Sequence, residues 1–169
     1  MTTPRRILGI DPGLIITGYG VLEFSAARPI LCEAGIIRTS DDGATDMAEK
    51  VLSVYKGVVE VIAQFHPDAM AVEQLYAHYD HPRTAILMGH ARGVIFLAAA
   101  QQGIPVVSYA STQVKKIVTG NGRASKDQVQ RTIQRELGLA TVPDPPDVAD
   151  ALAIALCHYY LQKLSIETL

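Results

Sequence analysis

The sequence predicts an α/β fold built on a mixed five-stranded sheet, a three-strand meander joined to parallel βα units, with helices on both faces. Three observations predict it. β-rich runs follow one another over residues 5–38, separated only by short turns. Two later apolar runs are each short enough for a buried strand, and each is followed by a helical pattern. Apolar residues make up 49% of the 169 and charged residues 19%, the composition of an ordinary globule large enough for a sizeable core. One domain spanning residues 1–169 is therefore expected.

The elements can be justified in order. Residues 5–11, 17–24 and 30–38 alternate or run apolar between turns, and their succession reads as an antiparallel meander. Residues 45–65 carry Met47, Val51, Val54, Val58 and Ile62 at helical spacing. "PDAMAVEQ", 67–74, is a short buried strand ending at Glu73. "LYAHYDHPR", 75–83, is a polar and aromatic loop, and a long helix follows over 84–102. "IPVVSYA", 104–110, is the fifth strand, with helices at 111–118 and 126–137 after it. Ser125 with Gln128 forms a capping-box pattern that starts the second of these helices. "GNGRASK", 120–126, is the glycine-rich, basic loop before it. The last helix runs from Pro146 to about residue 163. This order, βββ-α-β-α-β-α-α-α, is that of the ribonuclease H-like fold, in which strand 1 is central and its C-terminal end is where chemistry is placed.

Composition also excludes. The longest apolar stretches are interrupted by Arg, His or Asp, so no membrane-spanning helix is expected. "MTTPRRILG" lacks a long apolar region and a cleavage site, so no secretory signal is expected either. Cys32 and Cys157 show no CxxC spacing, which suits reduced thiols in a cytoplasmic protein.

The informative residues are acids placed where patterning expects hydrophobes. Asp11 ends the apolar run Ile7-Leu8-Gly9-Ile10, and Glu73 ends Ala69-Met70-Ala71-Val72. Asp147 and Asp150 stand in "DPPDVADALAIALCHYY", which as a helix is apolar on nearly every side over 148–157. Three residues apart, they share a face. With strand 1 central and strand 4 beside it, Asp11 and Glu73 end as neighbours, and a final helix laid across them adds the other two carboxylates. Four such acids repel unless compensated. Hard divalent cations such as Mg2+ take oxygen ligands and supply the compensation. Plainer readings exist for each acid alone. Asp11 suits a turn before Pro12-Gly13, Glu73 a strand-end surface residue, and Asp147 helix-start electrostatics. Asp144 suits an N-cap with Pro145 at the first helical position.

Net charge is −2, from 15 basic and 17 acidic residues. With the four acids assigned to a metal site, thirteen acids remain against fifteen bases, a mildly basic balance compatible with DNA binding.

Together these segments resemble the RuvC-type Holliday-junction resolvases. The matching stretches are "LGIDPGLIITGYGV" at 8–21, "VEQLY" at 72–76, "GHARGV" at 89–94, "QVKKIVTGNGRASKDQV" at 113–129 and "DVADALAIA" at 147–155. The resemblance implies a homodimeric crossover junction endodeoxyribonuclease that uses two Mg2+ ions per subunit, with Mn2+ as a substitute. It nicks two opposed strands of a four-way junction. The acidic tetrad falls on Asp11, Glu73, Asp147 and Asp150, and the base-stacking aromatic on Tyr76. Lys115 and Lys126 fall on the basic positions beside the site, with Lys116, Arg123 and Arg83 as further candidate DNA contacts. The resemblance also implies a partnership with the RuvA–RuvB branch-migration complex, and no membrane.

"AHYDHPRT", 77–84, departs from the family's pattern: His78, Tyr79, His81, Pro82 and Arg83 stand where small, amide and Lys residues are usual. Its histidines read as loop or DNA-contact residues, because Mg2+ prefers oxygen. The 84–102 helix carries Gly89 and Gly93 four residues apart on one face, which suits an isologous two-fold contact. An RNA-directed nuclease of the same fold, similar to YqgF, is a competing reading. "GIDPGLIITGYG" also resembles the phosphate hairpin of actin-like ATPases and sugar kinases, which need a second lobe.

Overall fold

Strands Arg6–Asp11 (β1), Ile16–Glu23 (β2) and Ile30–Arg38 (β3) form the expected antiparallel meander. The computed structural model describes residues 5–39, 46–75 and 81–167. Ala69–Glu73 (β4) and Val106–Tyr109 (β5) add parallel to the other side of β1, giving the order β3-β2-β1-β4-β5. β1 is thus central. Its two pairings differ in sense because β2 follows directly through a turn, whereas β4 returns only after the helix Met47–Phe65 (α1).

β1 shows how the alternation of a strand sorts side chains into two cores. Leu8 and Ile10, with Met70 and Val72 of β4, pack under α1 and the helix Pro82–Gln101 (α2). Ile7, with Ala71, packs on the other face. That face is covered by the helices Ser111–Thr119 (α3), Lys126–Leu137 (α4) and Pro146–Glu167 (α5). α5 is buried nearly all round: Val148, Ala149 and every residue from Ala151 to Tyr159 are buried.

α5 lies against the middle of the sheet because β1 and β2 offer it glycines. A Cβ at Gly9 would run into the Ala151 carbonyl oxygen, and one at Gly18 into the Asp147 carbonyl oxygen. No larger residue allows this approach, so the two glycines set how deeply the helix sits.

The boundaries differ from expectation at helix ends. α2 begins at Pro82, with proline in the first turn, rather than at residue 84. α5 begins at Pro146 as expected, which leaves Asp144 too far upstream to be its N-cap, and it continues to Glu167 rather than ending near residue 163. The capping box is present: Ser125 Oγ accepts from Gln128 N at 3.2 Å and Gln128 Oε1 from Ser125 N at 2.9 Å. α2 also corrects the expectation about membranes. By length and composition alone it is apolar enough to cross one, despite its arginines. Here its stripe of Ala91, Ile95, Ala98 and Ala99 is buried, the last three beside Val58 and Val61 of α1.

Gly18→Ala should push α5 outward and destabilise the chain by about 1–3 kcal/mol, the usual cost of overpacking. A lower urea midpoint with an unchanged slope is the expected measurement.

Candidate active site

Strand parity and register place the first two acids. Asp11 follows Ile7 and Gly9 on the face of β1 that meets α5. Ile10 pairs with Val72, so Asp11 and Glu73 come next along neighbouring parallel strands and emerge together at their C-terminal ends. Asp11 is not serving the turn that follows it. Thr17 ties that turn, its hydroxyl donating to Gly13 O at 2.6 Å and accepting from Gly13 N at 3.3 Å. No hydrogen bond to the Asp11 carboxylate is found among the described residues. The turn-residue reading of Asp11 therefore gives way.

The first turn of α5 brings the other two acids. Asp147 lies against Gly18, which pairs with Asp11 across β1 and β2. Asp150 follows on the same side of the helix. Position in the first turn also lets Asp147 favour the helix dipole, a role compatible with ligation. All four acids are half-buried rather than fully buried, so water and a ligand can reach them.

Two lysines close the arrangement. Glu73, Asp150, Lys115 and Lys126 line an open pocket of about 290 Å3 whose apolar wall includes Val114, Val129, Ala153 and Ile154. Lys126 Nζ stands 3.7 Å from Asp150 Oδ2. The lysine side chain is 73% exposed, so the pair adds little stability and is easily exchanged.

The electrostatics are those of an anion cluster short of positive charge. Burial pushes the Asp11 carboxyl up to about 8, helped by Asp150, Glu73 and Asp147 and opposed by Lys126. Burial also raises Glu73, again with Asp150, while Lys115, Arg92 and Lys126 pull it back. Asp150 is raised by burial and restrained first by Lys126. Among the described residues, no three of His, Cys, Asp and Glu stand close enough to hold an ion as placed. Lys126 engages Asp150 instead. The donor set fits a hard divalent cation: all oxygen, half-buried, and carrying more negative charge than the two lysines beside it offset.

Comparison with known proteins gives the family. A sequence model described as "Crossover junction endodeoxyribonuclease RuvC" matches residues 7–158. The chain belongs to the RuvC family. A crossover junction endodeoxyribonuclease RuvC of Rhodopirellula baltica is 52% identical over 161 residues, covering 95% of this chain and 89% of that protein. One from Desulforamulus reducens is 47% identical over 152 residues, covering 90% and 91%. Among solved structures, Thermus thermophilus RuvC in complex with Holliday junction substrate superposes with a TM-score of 0.88. It is 34% identical, covering 95% of this chain and 96% of that one. The fold is accordingly ribonuclease H-like, and this RuvC-family chain is a nuclease of the crossover junction class.

The structure brings together six of the residues singled out from sequence: Asp11, Glu73, Asp147, Asp150, Lys115 and Lys126. Lys116, Arg123 and Arg83 are exposed and lie outside the pocket. Tyr76 falls outside the described residues, as do His78 and Tyr79. One residue with a contact at the site escaped sequence reasoning. Arg92, inside the "GHARGV" segment of α2, donates from Nη1 to the Glu73 carbonyl oxygen. Its signal was a charge in the middle of an otherwise apolar helix.

Asp11 holds its proton more tightly in the folded chain, at about 8, than at its ordinary value of 3.8. The stability that this proton contributes is full below the lower value and is lost as pH rises through the higher one. Without metal, the chain should lose stability between about pH 4 and about pH 8. Asp11→Asn should flatten that loss and melt higher in EDTA, by on the order of 1 kcal/mol. Denaturation of both proteins at the two pH values checks this, and equal slopes would count against the carboxyl.

Proposed function

We propose that the chain works as a homodimer that resolves four-way (Holliday) DNA junctions by two-metal-ion hydrolysis. It would cut two opposed strands symmetrically, leaving 5′-phosphate and 3′-hydroxyl ends, in recombination and repair in the cytoplasm. The observation that carries this reading is the acid cluster at the end of the central strand, where Asp11 sits at about 8 among three other carboxylates. The junction substrate named with the Thermus thermophilus relative supports the choice of DNA.

Asp11, Glu73, Asp147 and Asp150 are the residues that would hold two Mg2+ ions, with Mn2+ as a substitute. Bound metal supplies an activated water and counter-charge for the leaving oxygen. The chain itself does the rest. Lys115 and Lys126 line the same pocket and are placed to neutralise the phosphate on either side of the cut. Lys126 exchanges a loose partner, Asp150, for that phosphate. Lys116, Arg123 and Arg83 are exposed and suited to backbone contacts further along the junction arms. Tyr76, two residues beyond the start of the chain's exit from β4, is assigned to base stacking.

α2 is the dimer element. Ile86 and Leu97 are exposed, and the space over Gly89 and Gly93 is open, which leaves room for close approach of a second helix. One sheet with both faces covered supports reading the chain as a single resolvase domain, with RuvA–RuvB as the partner complex.

With a four-way junction, a linear duplex and an RNA hairpin as substrates, Mg2+-dependent cutting should be confined to the junction. Asp11→Asn should bind the junction but fail to cut it, and retained cutting would overturn the site. Lys126→Ala should weaken junction binding and lower its salt slope by about one unit, as expected for one lost phosphate contact. Light scattering at micromolar concentration should give a dimer mass, and a monomer would remove α2 from its assigned role.

A further inference from the structure

We infer that Arg92 is a positioning residue that ties α2 to the end of β4 and so aims the Glu73 carboxylate into the acid cluster. The inference rests on the reading of Glu73 as a metal ligand.

Three contacts among the described residues define the arrangement. The Arg92 guanidinium donates through Nη1 to the Glu73 carbonyl oxygen. Nη2 reaches Ser108 Oγ on β5 at 3.4 Å. The guanidinium also lies over the Phe96 ring, 4.7 Å from its centroid, one helical turn along α2. A planar group stacked on a ring and held at both arms has one orientation, which a lysine could not reproduce. Arg92 therefore spans three elements: the helix, the strand carrying Glu73 and the neighbouring strand.

The placement matters because Glu73 is the last residue of β4. By then the ladder to β1 has ended, its last pair being Ile10 with Val72. On the β5 side, Gln74 N donates to Tyr109 O at 2.8 Å. Fixing the Glu73 carbonyl fixes the peptide plane on its α2 side, and with it the direction in which the side chain leaves the strand. Residues that orient a metal ligand in this way typically change metal affinity by about 10–100-fold when removed.

α2 is also the helix assigned to the subunit contact, so Arg92 makes a direct mechanical link between that contact and a carboxylate of the site. Its position on the helix, away from the exposed Ile86 and Leu97, lets it act inward while they face outward.

The test is Mg2+ binding by titration calorimetry on the full chain, without DNA, in wild type, Arg92→Gln, Arg92→Lys and Glu73→Gln. Arg92→Gln should bind Mg2+ about ten-fold more weakly, with unchanged dimer mass and unchanged junction affinity in EDTA. Arg92→Lys can still donate to the Glu73 carbonyl but cannot hold Ser108 as well, and should fall between the two. Wild-type Mg2+ affinity in folded Arg92→Gln would overturn the inference, as would a loss that tracks dissociation of the dimer. If Arg92→Gln does not fold, Arg92→Lys decides: weaker binding supports the inference and wild-type binding overturns it. Glu73→Gln separates the two levels. Unchanged Mg2+ affinity in that variant would overturn the site reading itself, whereas a loss there beside wild-type binding in Arg92→Gln would overturn only the positioning role.

Discussion

Everything at the site depends on how closely α5 can lie against the middle of the sheet. The helix meets β1 and β2 at Gly9 and Gly18, where a single added carbon would collide with its backbone carbonyls. That contact buries the whole segment from Ala151 to Tyr159 in the core shared with Ile7 and Ala71. It also brings the first turn of the helix over the end of β1. Packing and chemistry share this one contact, because the residues that anchor the helix are a few positions from the acids it delivers.

The close approach has an electrostatic cost. Four carboxylates come within electrostatic reach of one another in a half-buried site, and burial, helped by the other three, pushes Asp11 up to about 8. Gathering like charges partly out of water is costly unless something positive compensates them. The lysines offset the repulsion only in part. Lys126 is mostly exposed and 3.7 Å from Asp150, an arrangement that holds charge nearby without locking it. A site left deficient in positive charge is one prepared to accept cations, and functional sites commonly trade stability in this way.

The opposite face of the sheet has a different economy. α2 is apolar but only partly covered, with Ile86 and Leu97 left exposed while Ala91, Ile95, Ala98 and Ala99 are buried. Small residues keep it near α1, and Arg92 turns from it toward the strand ends. The helix therefore touches the site through a hydrogen bond while presenting apolar surface elsewhere.

Much of this was legible in the sequence. Apolar runs ending in an acid marked β1 and β4, helical spacing marked α1, and Ser125 with Gln128 marked the start of α4, because each signal lies within a few contiguous residues. The near-continuous apolar character of 148–157 marked α5 as buried and made Asp150 conspicuous. Contacts between distant segments were not legible. The reach of Arg92 to Glu73, the pairing of Lys126 with Asp150, and the depth of α5 depend on register and helix crossing. Sequence by itself determined which residues are strands, helices and candidate ligands, since propensity and periodicity are local. Tertiary structure alone decided which charges meet, since that is set by strand register and by the two positions where the absence of a Cβ lets a helix come close.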